Sequence, residues 1–120
     1  MKVLIVDDEP DIIMTLDFLM RKAGFDVFIG RDGAEAIELV KEHQPDLVIL
    51  DIMMPNVDGY EVCTFIKQTE EYKNSKVIFL SAKGKEVDIE RGYAVGADFY
   101  MPKPFSSREL VKKAKELLAK

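Results

Sequence analysis

A few side chains in this sequence are suited to metal or phosphoryl chemistry, and they fall at equivalent places along it. Asp7 and Asp8 follow the apolar run Val3-Leu4-Ile5-Val6, with Glu9 next. Asp51 follows Leu47-Val48-Ile49-Leu50. Ser81 follows Val77-Ile78-Phe79-Leu80, and Lys103-Pro104 comes just after Phe99-Tyr100-Met101. Carboxylates packed together repel, each raising its neighbour's pKa, and a divalent cation relieves that repulsion. Oxygen-only ligands, with water filling the remaining positions, favour Mg²⁺. A carboxylate that accepts a phosphoryl group needs the charge on the transferring oxygens neutralised by a metal and a cation. Lys103 could supply the cation, and Ser81 could donate a hydrogen bond to the same group.

Each residue also has a plainer reading. Asp7, Asp8 and Glu9 could be solvated acids at a helix start, where such residues are favoured anyway. Lys103 could be a surface lysine and Ser81 a turn residue. Asp51 shifts the balance, because it stands between an apolar strand and Ile52-Met53-Met54-Pro55. The convergence of Asp7, Asp8, Asp51, Ser81 and Lys103 favours the cation and phosphoryl reading.

That convergence depends on the elements that carry these residues. The apolar runs, with Val27-Phe28-Ile29 as the second, are rich in β-branched and aromatic residues, and several lack alternation. This suits strands buried on both faces of a parallel sheet. Between them lie helical patterns. Ile12, Leu16, Leu19 and Met20 make one stripe, with Pro10 fitting a first-turn position and Gly24 a C-terminal stop. Asp32 and Glu35 resemble a capping pair before Ile37 and Val40. Val62, Phe65 and Ile66 mark a third helix. Glu86–Val95 is a less regular fourth, ending at Gly96. Ser106 and Glu109 have capping-box spacing ahead of a final helix, which is expected to run to the last residue through Leu110, Ala114, Leu117 and Leu118.

The order is β-α repeated five times. Right-handed crossovers turn it into an α/β fold, a doubly wound parallel sheet with helices on both faces. Ligands of such sheets bind outside the carboxyl ends of the strands, where the five side chains are expected. A dinucleotide loop is excluded, since Asp7-Asp8-Glu9-Pro10 stands where G-x-G-x-x-G is needed and would repel a phosphate. An aspartyl-phosphate hydrolase usually carries a second acid two residues after its nucleophile, and here that residue is Met53.

Composition narrows the classes further. The chain has 120 residues, 17 basic and 22 acidic, with a net charge of −5. That length fits one domain, expected over residues 1–120. Residues 1–60 carry 13 acids against 5 bases, whereas residues 61–120 carry 9 against 12. The acidic half suggests a cation, and no basic stripe suggests nucleic acid. A single cysteine, Cys63, excludes a disulfide framework and is expected to serve packing. The one histidine, His43, excludes a His-rich zinc site and is expected at the surface near a helix C-terminus. No apolar run approaches the roughly 20 residues of a membrane span. No secretory signal opens the chain, so a cytoplasmic location is expected.

Taken together, Val6-Asp7-Asp8-Glu9, Leu50-Asp51-Ile52-Met53-Met54-Pro55 with Gly59, Ser81-Ala82, Gly96-Ala97-Asp98 and Lys103-Pro104-Phe105 resemble the response-regulator receiver domain (CheY-like) of two-component signalling. The resemblance covers essentially the whole chain. It implies a flavodoxin-like (βα)5 fold with strand order 2-1-3-4-5. It implies that Asp51 is the phosphoacceptor, and that Asp8, Asp51 and the Met53 backbone carbonyl ligate Mg²⁺, with Asp7 acting mostly through water. Lys103 would bind the phosphoryl group, and the Lys103–Pro104 bond would be cis. Ser81 and Tyr100 match the family's switch pair, with Ser in place of the commoner Thr. Met53 and Lys83 match the positions that flank water access.

The expected function is a phosphorylation-controlled switch. It would be charged by a sensor histidine kinase or phosphotransfer protein and read by an effector or fused output domain, with homodimerisation a further expectation. It would be no enzyme in the ordinary sense, although it would assist its own phosphoryl transfer and dephosphorylation. Two other readings are a pseudo-receiver that binds without chemistry and a small phosphate-ester hydrolase. Mg²⁺ affinity unchanged in Asp8→Ala would favour the first, and steady-state phosphate release the second.

Overall fold

A computed structural model describes residues 1–119. It contains five strands and five helices in strict alternation: β1 Lys2–Val6, α1 Pro10–Lys22, β2 Asp26–Gly30, α2 Gly33–His43, β3 Leu47–Leu50, α3 Gly59–Gln68, β4 Lys76–Ser81, α4 Glu86–Ala94, β5 Phe99–Pro102 and α5 Ser107–Leu118. The strands form one parallel sheet in the order β2-β1-β3-β4-β5. The expected doubly wound, flavodoxin-like architecture is therefore the observed one.

The apolar runs behave as sheet position requires. All four residues of β3 are buried, as are all but the first of β1 and β4, because helices cover both faces there. The edge strands β2 and β5 are only partly buried. Alternate residues feed two cores. Val3, Ile5, Leu47, Ile49, Ile78 and Leu80 pack with Leu16 and Met20 of α1 and Leu110 and Ala114 of α5. Leu4, Val6, Val48, Leu50, Val77 and Phe79 pack with α2 and α3.

Helix starts follow local chemistry. Carboxylates of Asp32 and Asp58 accept from the backbone N–H of Glu35 and Glu61 at 2.8 and 2.9 Å, and the Ser106 hydroxyl accepts from Glu109 at 3.2 Å. Each satisfies one orphan donor of a first turn. Pro10 opens α1, whose N-cap Glu9 makes no side-chain cap bond.

Three expectations need correction. The buried stripe of α1 is Ile13, Leu16 and Met20, with Ile12 and Leu19 at its margins. His43 is not simply at the surface, since its ring stacks on Phe28 at 3.9 Å between centroids. The last helix stops at Leu118, and Lys120 lies outside the described residues. Cys63, by contrast, packs as expected, being fully buried. Burial pushes its thiol up to about 12.

Candidate functional site

Strand register brings the expected residues together. β1 pairs with β3 as far as Val6 opposite Leu50, and the Asp51 N–H donates to the Val6 carbonyl at 2.9 Å. Asp7 and Asp51 therefore leave adjacent central strands at the same level. Lys103 is set by its own N–H, which donates to the Ser81 carbonyl at 2.8 Å. The Lys103–Pro104 peptide is cis.

The Lys103 ammonium sits among acids. Its Nζ lies 2.9 Å from Asp7 Oδ2, 3.1 Å from Glu9 Oε1 and 3.8 Å from Asp51 Oδ2. Asp7, Asp8, Glu9 and Asp51 each offer one carboxylate oxygen within 4.8 Å of the others. Asp7 and Asp51 are buried, while Asp8 and Glu9 are exposed. Asp8, Glu9, Asp51 and Lys103, with Met53 and Ala82, line an open pocket of about 280 Å³.

The electrostatics follow from this crowding. Burial, then the Asp7 charge, raises the Asp51 pKa above the ordinary carboxylate value. Lys103, the Ile52 N–H and the Ser81 hydroxyl oppose that rise without cancelling it. The Ile52 N–H donates to Asp51 Oδ1 at 2.8 Å, which fixes one carboxylate oxygen and leaves Oδ2 towards Lys103. Burial alone would lower the Lys103 pKa. The carboxylates of Asp7, Asp51 and Glu9 outweigh it, so the ammonium is held more firmly protonated than usual.

Gly59 makes the loop between β3 and α3 possible. A β-carbon there would lie 2.3 Å from the Asp51 carbonyl oxygen and 2.7 Å from Ile52 Cα. Only a glycine lets α3 begin this close to the Asp51 backbone.

The remaining expected residues take distinct places. Ser81 is fully buried, and its Oγ accepts from the Lys83 N–H at 3.3 Å. Tyr100 lies inside, 5% exposed, with its hydroxyl donating to the Lys83 carbonyl. Burial raises that phenol to about 12. Met53 is 58% exposed beside the pocket. The Lys83 ammonium is 3.9 Å from Asp88 Oδ1, tied towards α4.

Sequence reasoning left Glu9 outside the set. Its place in the run Asp7-Asp8-Glu9, directly after a strand, was the available signal. It also passed over Tyr60 and Arg91, which line a neighbouring cleft of about 340 Å³ with Met53, Asp58 and Lys83. No periodicity singles them out.

The sequence signature of the response regulator receiver domain matches residues 3–115. This chain belongs to that family. The receiver domain is similar to a candidate response regulator from Chloroflexus aurantiacus at 34% identity and TM-score 0.93, covering 99% of this chain and 98% of that one. It is similar to the chemotaxis protein CheY4 of Vibrio cholerae at 30% identity and TM-score 0.90, covering 98% of each chain. A third similar structure is the receiver domain of a sensor histidine kinase from Pseudomonas aeruginosa, solved with a magnesium ion coordinated in its active-site cleft. It shares 25% identity at TM-score 0.90, covering 99% of this chain and 98% of that one. Membership makes this a signalling domain, one of a family controlled by phosphorylation. No helix among the described residues is long and apolar enough to cross a membrane.

Proposed function

We propose that this receiver domain is a switch whose Asp51 accepts a phosphoryl group from a phosphohistidine of a partner kinase or phosphotransfer protein. The observation that carries this reading is the position of Lys103, whose ammonium bridges the buried Asp7 and faces the free oxygen of Asp51 at 3.8 Å. In the step, Asp51 Oδ2 attacks phosphorus in line. The P–O bond forms as the P–N bond to the histidine breaks, and the imidazole leaves with the electron pair and takes up a proton. Lys103 pairs with the charge on the transferring oxygens, and the Ser81 hydroxyl donates to one of them.

The donor set fits a divalent cation. Four carboxylates converge within 4.8 Å while one ammonium offsets them, a surplus of negative charge that a dication would relieve. All side-chain donors are oxygen, which suits Mg²⁺. Asp8, Asp51 and the Met53 carbonyl would hold it, with Asp7 acting through water. When bound, Mg²⁺ supplies charge neutralisation at the phosphoryl oxygens. The magnesium in the Pseudomonas relative supports this assignment.

The output would be a two-state equilibrium of β4, α4 and β5, read by an effector or fused output domain or through homodimerisation. Tyr100 already lies inside here. Phosphorylation of Asp51 would therefore stabilise an arrangement the fold can reach on its own. The test is incubation with acetyl phosphate and Mg²⁺, read by intact mass. Wild type should gain one phosphoryl group and Asp51→Asn none. A wild type that stays unmodified, or an equal gain in Asp51→Asn, would overturn the assignment.

A further inference from the structure

α4 is poorly anchored by apolar burial. Of Glu86–Ala94 only Gly92 is buried, Val87 is 67% exposed, and Ile89 packs partly against the core. Helices in proteins are ordinarily held by packing an apolar face, so other contacts must position this one. Two phenols do so. Tyr60, on α3 and 3% exposed, donates its hydroxyl to the Asp88 carbonyl at 3.1 Å. Tyr100, on β5, donates to the Lys83 carbonyl.

The rings form a continuous support. Tyr60 meets Phe79 edge-on at 5.6 Å, and Phe79 meets Tyr100 at 5.9 Å. Arg91 of α4 closes over the Tyr60 ring, its guanidinium carbon 4.1 Å from the centroid, within range of cation–π attraction. Gly92 leaves room for Tyr100 beneath the helix, since a β-carbon there would lie 2.8 Å from Tyr100 Cδ2 and 3.2 Å from Phe79 Cδ2.

We propose that Tyr60 and Arg91 form a clasp that holds α4 to α3, a second control on α4 beside the Tyr100 bond. Tyr60 follows Gly59, whose close approach to the Asp51 carbonyl ties the start of α3 to the phosphoacceptor backbone. The clasp thus links α4 to the Asp51 loop through α3, whereas the Tyr100 bond acts from β5. Its regulatory meaning rests on the proposed phosphorylation of Asp51, whereas its effect on α4 does not.

The experiment is amide hydrogen exchange by mass spectrometry on the full unphosphorylated chain. Loss of one ordinary hydrogen bond in Tyr60→Phe should speed exchange in residues 86–94 roughly fivefold. Exchange in α1 and α5 should not change. Arg91→Gln should speed the same segment less, and the double variant should fall short of the product of the two effects, because both act on one ring. Unchanged exchange in α4, or equal acceleration in α1 and α5, would overturn the clasp. Labelling the same variants with acetyl phosphate separates the two readings. If wild type gains no phosphoryl mass, the Asp51 assignment fails while the exchange data still decide the clasp.

Discussion

At the scale of single residues, Asp51 is the most heavily constrained group. Its carboxyl is buried beside Asp7, so its folded pKa lies above the ordinary 3.8. The folded state therefore binds a proton more tightly than the unfolded one. The Asp51 contribution to stability is full below pH 3.8 and is lost as pH rises through the raised folded pKa. Asp51→Asn removes the ionisation altogether. In EDTA at pH 7 this variant should melt at a higher temperature than wild type, and the gap should close below about pH 3.8, where both side chains are neutral. Saturating Mg²⁺ should narrow the gap by binding only the folded wild type. Thermal melts across pH, with and without Mg²⁺, check all three. A wild type more stable than Asp51→Asn in EDTA at pH 7 would show that the Lys103 contact outweighs burial. Gly59 is constrained differently. Gly59→Ala places a methyl against the Asp51 and Ile52 backbone, an overpacking that should cost about 1–3 kcal/mol in urea titrations and slow acetyl-phosphate labelling.

At the scale of elements, helix starts were the most legible local feature. Asp32 with Glu35 and Ser106 with Glu109 were readable as caps, because capping needs only residue types at fixed short spacing. Asp58 performs the same bond at α3 without having been singled out. Asp32→Ala, Asp58→Ala and Ser106→Ala should each lower stability by about 1 kcal/mol. The three losses should add in a triple variant, since the caps lie on separate helices with no shared partner. Chemical denaturation of the four proteins is the check. The stripe of α1 was less legible. A spacing of three and four residues fits more than one rotation of a helix, and only contact with β1, β3 and α5 selects Ile13 over Ile12. α4 was least legible, because its position depends on rings from α3, β4 and β5 rather than on its own apolar face.

At the scale of the whole molecule, the sheet divides the apolar residues into two cores by simple alternation. Phe79 stands at the centre of one, fully buried between Tyr60 and Tyr100. Phe79→Ala should cost about 3–5 kcal/mol, a large share of the 5–15 kcal/mol that holds a domain of this size. Met14→Ala, at a position 71% exposed on α1, should change stability by less than about 0.5 kcal/mol. Urea midpoints of the two variants test whether burial, not side-chain size, sets the difference. The sequence by itself determined the alternation of elements, the parallel sheet and the side chains at the strand ends, because these follow from local periodicity and from the rule that parallel strands present their carboxyl ends to one edge. It also marked Asp7, Asp8, Asp51, Ser81 and Lys103 as a group. Tertiary structure alone decided that Glu9 bridges Lys103, that Tyr100 lies inside, that His43 stacks on Phe28, and that Tyr60 of α3 meets Asp88 and Arg91 of α4. Those contacts join residues from separate elements, and they depend on rotamers and distances that no local spacing specifies.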